Sequence, residues 1–242
     1  MTGPVVLVHG LFQMLGGLGA EDYFSPRPLL IPDLPGYGRN RGASVISLSA
    51  AVDHVREEIL AAGLESVHVA GHSLGGAVAV LLAHRYPEVV RSVIDVEGNF
   101  TLKDAFWSRK MAEMDAAEAE ALLGSYRADP PAGFRETASS PIAERIAIAS
   151  QGLSAQPAST VQAMARSVVE VTASPGYLDD VRQVLHRGTP FHLVAGERSR
   201  DGWDVPGFVA ACATSMTIQP GAGHMMMLEN AAEFFGIIAG LL

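Results

Sequence analysis

The sequence predicts an α/β fold on a mainly parallel sheet that carries a helical insertion. Three observations lead there. The strand-like runs are short and apolar throughout rather than alternating, as strands are when both faces of a sheet are covered. They alternate with helix-period segments, and a strand–helix–strand succession requires crossover connections between parallel neighbours. From residue 99 to residue 186 the helix pattern then stands alone, before strands resume.

In chain order, "PVVLVHG" (Pro4 to Gly10) is a β-branched apolar run closed by glycine and reads as a buried strand. "LLIPDLPGYGRN" begins as a strand and breaks into a loop at Pro32, Pro35, Gly36 and Gly38. "SLSAAVDHVREEILAAG" offers a serine cap at Ser47 or Ser49, an apolar face of Val52, Val55, Ile59 and Leu60, and a stop at Gly63. That pattern predicts an amphipathic helix. "SVHVAG" reads as a strand, "GGAVAVLLAHRYP" as a helix ended by Pro87, and "VRSVIDVEG" as the next strand. Helix-like pieces follow, separated by proline and glycine clusters at Asp129 to Gly133 and Pro175 to Gly176. "PFHLVAGE" and "TSMTIQPGAGH" resume the strands, and "AAEFFGIIAGLL" closes on a helix. The predicted organisation is a core domain from 1–98 and 187–242, with 99–186 inserted over the sheet as a helical cap.

With 242 residues, 48% of them hydrophobic and 18% charged, the chain can bury a substantial core. A net charge of −9 and the lack of any Lys/Arg-rich stretch argue against nucleic acid or anionic membranes as partners. The one cysteine, Cys212, cannot form an internal disulfide, and its "VAACATS" setting reads as core or helix packing. A disulfide-free chain suits the cytoplasm. "MTGPVVLVHG" has no basic region before its apolar run, so no signal peptide is expected. No apolar run approaches the ~20 residues that span a bilayer. No Cys/His cluster has metal-ligand spacing and no G-x-G-x-x-G follows a strand, so neither metal nor cofactor is expected. The composition specifies no oligomeric state.

The chemistry concentrates in "VAGHSLGGAVAVLLA" (Val69 to Ala83). Gly71-His72-Ser73-Leu74-Gly75 matches G-x-S-x-G between a strand and a helix. A strand that turns at once into a helix strains the residue at the turn and demands small neighbours two positions away. Such a turn would hold the Ser73 hydroxyl at the C-terminal edge of the sheet, beside a helix N-terminus that favours negative charge. Serine alone is a poor nucleophile and needs a base. His224, in "QPGAGHMMMLEN" between the last strand and the last helix, lies where an α/β sheet presents functional groups. His9 and His72, beside glycines, read as shaping the site, and the other histidines as structural or solvated. The N–H of Leu11, just after "VHG", and that of Leu74 are placed to receive an oxyanion, with Phe12 the near alternative to Leu11.

"VVLVHG", "PDLPGYGRN", "GHSLGG" and "PGAGHMMMLEN" stand in the order and rough spacing of the α/β-hydrolase fold superfamily, which the chain resembles over nearly its whole length. The resemblance implies a mainly parallel sheet, a nucleophile–acid–histidine triad and a cap over the site. Two departures matter. The two strands that precede "VVLVHG" in many members are not expected here, so about six strands, all parallel, are expected. And the place shortly after the penultimate strand, where many members carry the acid, holds Ser199 in "VAGERSRDGWD". Asp201 and Asp204 lie further on. The other known placement is the end of the strand after the nucleophile helix, where Glu97 stands 24 residues beyond Ser73, similar to the acid of zearalenone lactonase. Glu97 is favoured, with Asp201 and Asp204 as the alternatives.

The expected activity is that of a serine hydrolase on a carboxylic ester, lactone or thioester of a small, moderately apolar molecule, through an acyl-enzyme. Phe12, Phe106, Trp107 and Met225 are candidates to line the substrate pocket, although helical spacing also fits packing, as it does for Met111 and Met114. Two other readings stay open. The same fold hosts cyclisation and C–C bond cleavage in natural-product metabolism, and a non-catalytic small-molecule receptor would keep the pocket.

Overall fold

The computed structural model describes residues 3–12, 15–136 and 143–242. Six strands form one sheet: β1 (Val5–Val8), β2 (Leu29–Leu30), β3 (Val67–His72), β4 (Val90–Val96), β5 (Phe191–Gly196) and β6 (Ser215–Gln219). Their spatial order is β2-β1-β3-β4-β5-β6, and every adjacent pair is parallel. The chain runs outward from β1 to β2, then returns to place β3 on the other side of β1. That reversal is a topological switch point, and a crevice opens beyond the carboxyl ends of β1 and β3.

The apolar strands divide their side chains between two cores. Val6, Val8, Val67, Val69, Val93 and Leu193 face one side, and Val5, Leu7, Ile94, Val96 and Val194 the other. Against the first face lie α2 (Leu48–Ala61) and α3 (Leu74–Arg85). Against the second lie α1 (Glu21–Phe24) and α12 (Ala231–Gly240), through Phe24, Phe234 and Phe235. This two-sided burial is the reason the strands read as unbroken apolar runs. On α2, Ser47 is the cap, accepting from the Ala50 N–H at 3.1 Å, and Val52, Val55 and Ile59 are buried. Leu60 departs from the expectation: one residue round from Ile59, it is 48% exposed.

The 99–186 stretch forms α4 (Phe106–Glu113), α5 (Ala116–Ala128), α6 (Pro130–Glu136), α7 (Ala143–Ala155), α8 (Ala158–Ala173) and α9 (Pro175–His186). An Asp115–Glu118 capping box starts α5. Helices α4 to α8 pack mainly on one another, whereas α9 lies against α3 and α10 (Gly207–Cys212). Val181 and Val184 of α9 belong to the core beside the sheet. The helical block therefore contributes one element, α9, to the layer flanking the sheet. Cys212, at the end of α10, is exposed rather than packed. Helix α11 (Met226–Glu229) precedes α12. Among the described residues no helix is long and apolar enough to cross a membrane.

Candidate active site

Ser73 sits between β3 and α3 with φ 55° and ψ −121°, outside the regions open to an ordinary side chain. The close approach explains its glycines. A Cβ on Gly71 would lie 2.0 Å from the Gly75 carbonyl oxygen, and one on Gly75 would lie 2.3 Å from that of Val8. The Ser73 N–H is tied to the Val96 carbonyl at 2.9 Å, which fixes the turn against β4. Leu74 opens α3, so its N–H has no acceptor within the helix. Among the described residues, Ser73 and Glu97 (φ 43°) are the two non-glycine positions with a left-handed φ.

Glu97 follows β4 and is 4% exposed. Its Oε2 lies 2.6 Å from Nδ1 of His224. Its Oε1 accepts from the Gly196 N–H at 2.9 Å and the Ser199 hydroxyl at 2.6 Å. So Ser199, in the place where many relatives would hold the acid, supports the carboxylate at the end of β4. The alternative acids are directed elsewhere. Asp204 accepts from the Thr101 hydroxyl at 2.7 Å and pairs with Lys103. Asp201 is almost fully exposed beside Arg200.

His224 stands in the loop between β6 and α11, and two braces hold that loop. Glu229 accepts from the Gly223 N–H at 2.7 Å and pairs with Arg198. On the other side His72 Nε2 donates to the His224 carbonyl at 2.9 Å. A carbonyl only accepts, so the His72 proton is on Nε2, and its buried Nδ1 has no partner. Burial holds the His72 pKa well below its usual value, and the neighbouring His224 adds to the effect. His72 is thus a neutral strut between the serine turn and the histidine loop.

His9 plays a similar part just after β1. Its Nε2 accepts from the Leu34 N–H at 3.3 Å, so Nδ1 carries the proton and donates to the Gly10 carbonyl at 2.8 Å. The Tyr37 hydroxyl donates to the Leu11 carbonyl at 3.1 Å. In planar trans peptides the following N–H points opposite each carbonyl. The N–H groups of Leu11 and Phe12 are therefore turned away from His9 and Tyr37 respectively.

A cavity of about 430 Å³ brings Ser73, His224, Gly10, Leu11, Phe12 and Trp107 onto one surface, together with Met225 and the polar residues Asn99, Asp104 and Ser108. Phe106 does not line it. The residue is 58% exposed and meets the edge of Trp107, because consecutive helical residues point about 100° apart. Met111 is fully buried as packing, and in the methionine run Met226 and Met227 are buried while Met225 lines the cavity. Asn99, Asp104 and Ser108 were not anticipated, and neither was Asp95. An aspartate within the apolar strand "VIDVEG" was the one visible signal. Asp95 Oδ1 accepts from the Gly98 N–H at 2.7 Å, and Gly76 and Gly98 leave room for its carboxyl group.

A pimeloyl-[acyl-carrier protein] methyl ester esterase from Sodalis glossinidius is 36% identical over 99 residues, 38% of this chain and 35% of that protein. A 2-succinyl-6-hydroxy-2,4-cyclohexadiene-1-carboxylate synthase from an Enterobacter strain is 26% identical over 230 residues, 89% of this chain and 81% of that one. The match spans about a third of the length of most of the curated relatives. Among solved structures, a thermophilic esterase from Thermogutta terrifontis superposes with a TM-score of 0.71 at 21% identity, over 98% of this chain and 88% of that one. The alpha/beta hydrolase family pattern matches residues 5–237, and the chain belongs to the α/β hydrolase family.

Proposed function

We propose that the protein is a serine hydrolase that cleaves a carboxylic ester, lactone or thioester of a small, moderately apolar molecule. The observation that carries the reading is the His224–Glu97 hydrogen bond on the same cavity as Ser73, whose backbone is strained at the head of α3. Strain of this kind persists where the surrounding structure over-determines it, and it concentrates at reacting groups. The esterase matched over 99 residues supports ester cleavage as the reaction type.

In the proposed cycle Nε2 of His224 takes the Ser73 proton as the serine oxygen attacks the carbonyl carbon. Glu97 accepts from Nδ1, orienting the ring and stabilising its charged form. The N–H groups of Leu74 and Leu11 receive the oxyanion. The C–O or C–S bond then breaks, the leaving group takes the proton from His224, and the acyl group stays on Ser73. Water, deprotonated by the same histidine, attacks the acyl carbon and releases the acid and the free serine. Helices α4 to α8 are proposed as the cap over this chamber.

The synthase relative, matched along most of the chain, favours a second reading: a non-hydrolytic step at the same residues. The carboxylate in that relative's product name is poorly matched here, since no Lys or Arg lines the cavity. A panel of p-nitrophenyl esters and lactones in ¹⁸O-labelled water separates the two. Hydrolysis puts one labelled oxygen into the released acid. Products formed without label, by elimination or cyclisation, would overturn the hydrolytic reading.

A further inference from the structure

The cavity is divided in polarity. On one side Phe12, Trp107 and Met225 are shared with a second chamber of about 330 Å³, walled also by Tyr126 and Leu153. The rings of Phe12, Trp107 and Tyr126 meet edge to face in all three pairings, with centroids 5.6–6.1 Å apart. This chamber offers almost nothing but carbon and ring faces. On the other side stand Asn99, Asp104 and Ser108. Asn99 is 5% exposed; its Nδ2 donates to the Asp104 carbonyl at 3.1 Å, and its buried Oδ1 has no partner. Turning the amide over would set its oxygen against that carbonyl, so the orientation is forced. The two Asp104 oxygens accept from the Phe100 and Thr101 N–H groups at 3.0 and 3.2 Å, and each keeps a further lone pair. Neither chamber is lined by Lys or Arg, and the positions outside the described residues contain neither.

We propose, resting on the hydrolytic reading above, that the site selects esters split in polarity: an aryl-sized apolar group beside Phe12, Trp107 and Tyr126, and a hydrogen-bond donor beside Asn99, Asp104 and Ser108. Substrates with an anionic group near the ester are rejected. A donor takes up the spare lone pairs of the two Asp104 oxygens, beside the unpartnered Asn99 Oδ1. A carboxylate there would be desolvated beside Asp104 with no Lys or Arg lining the chambers to pair with it, the Lys110 ammonium being stacked on the Trp107 ring, and burying such a group is costly. Burial pushes the Asp104 pKa up to about 7 even though the Phe100 and Thr101 N–H groups and the Asn99 side chain hold its carboxylate, so this side of the pocket disfavours negative charge.

The test uses phenylacetate esters of propanol, 2-hydroxyethanol, 2-(dimethylamino)ethanol and glycolic acid. Benzyl propanoate, benzyl hydroxyacetate and monobenzyl malonate cover the reversed orientation. Each kcat/KM is divided by that ester's hydroxide-catalysed rate, which removes intrinsic reactivity. In at least one orientation a donor ester should exceed its donor-free isostere by about tenfold or more, as one hydrogen bond to a charged group supplies. The anionic ester should fall below the isostere by at least as much. The donor-to-isostere ratio should shrink in Ser108→Ala and Asp104→Asn. Hydroxyl against ammonium identifies the donor. Ratios within about threefold in both orientations, an anionic ester turned over as well as its isostere, or ratios unmoved by both substitutions would overturn the proposal. Turnover of p-nitrophenyl acetate reads the hydrolytic assignment alone. Should that fail, Kd values for N-(2-hydroxyethyl)phenylacetamide, N-propylphenylacetamide and phenylacetylglycine read the polarity without catalysis, with the same ranking expected.

Discussion

Nε2 of His72 donates to the carbonyl of His224 across 2.9 Å, and the two rings stand 4.6 Å apart. The residue before the proposed nucleophile thus holds the loop of the proposed base, although 152 positions separate them in the chain. Because burial keeps His72 neutral, it braces His224 without opposing the positive charge that ring acquires in the proposed reaction. A strut of this kind acts through geometry, and displacement by about 1 Å can cost on the order of 10²-fold in rate. His72→Phe should lower kcat by about that factor, while His72→Gln, which keeps an N–H donor, should stay within about tenfold of wild type. Steady-state kinetics on one p-nitrophenyl ester checks this. Equal losses in both variants would mean that the donor does not matter.

The proposal that Glu97 is the acid rests on its hydrogen bond to His224 as well as on its position. Glu97→Gln should reduce kcat by roughly 10³–10⁴-fold, as an amide in place of the carboxylate leaves the histidine in the wrong tautomer. Asp201→Asn and Asp204→Asn should remain within about tenfold of wild type. Comparable losses in Glu97→Gln and Asp204→Asn would shift the assignment.

Ser199 lends one of the three donors to Glu97. Ser199→Ala should lower kcat roughly five- to tenfold, the scale of one hydrogen bond to a charged group. The loss should largely vanish in the Glu97→Gln background, where there is no carboxylate to support. Additive losses across the two substitutions, read in a double-mutant cycle, would show that Ser199 acts elsewhere.

Asp95 controls stability rather than chemistry. Burial pushes its pKa up to about 8, from an ordinary value near 4. The folded chain then keeps a proton that the unfolded chain releases, so the contribution is full at low pH and is lost as pH rises from about 4 through about 8. Asp95→Asn keeps an acceptor for the Gly98 N–H and removes the ionisation. It should flatten the fall in Tm between pH 5 and pH 8.5. At the upper end it should exceed wild type by on the order of 1 kcal/mol, about 2–4 °C for a chain of this size. Parallel Tm profiles would contradict the account.

Much of the fold was readable because it rests on local rules. Strands buried on both faces are apolar throughout, and the sharp turn at Ser73 demands glycine at positions 71 and 75. His224 was readable from its place after the last strand. The pocket was less so, since it depends on helix rotation: Trp107 lines the cavity while Phe106, its neighbour in sequence, faces solvent. Leu60 illustrates the same limit on α2. Asn99 and Asp104 follow β4 in a loop with no periodicity, held at the cavity by the Asn99 Nδ2–Asp104 carbonyl bond and by the Tyr177 hydroxyl donating to the Asn99 carbonyl.

The central claim is that the Ser73 oxygen is an activated nucleophile, and covalent labelling tests it most directly. A fluorophosphonate probe, with adduct mapping by mass spectrometry, should modify Ser73 alone. Labelling should be abolished in Ser73→Ala and slowed by several orders of magnitude in His224→Ala. An adduct at another residue, or labelling that persists in Ser73→Ala, would contradict the account.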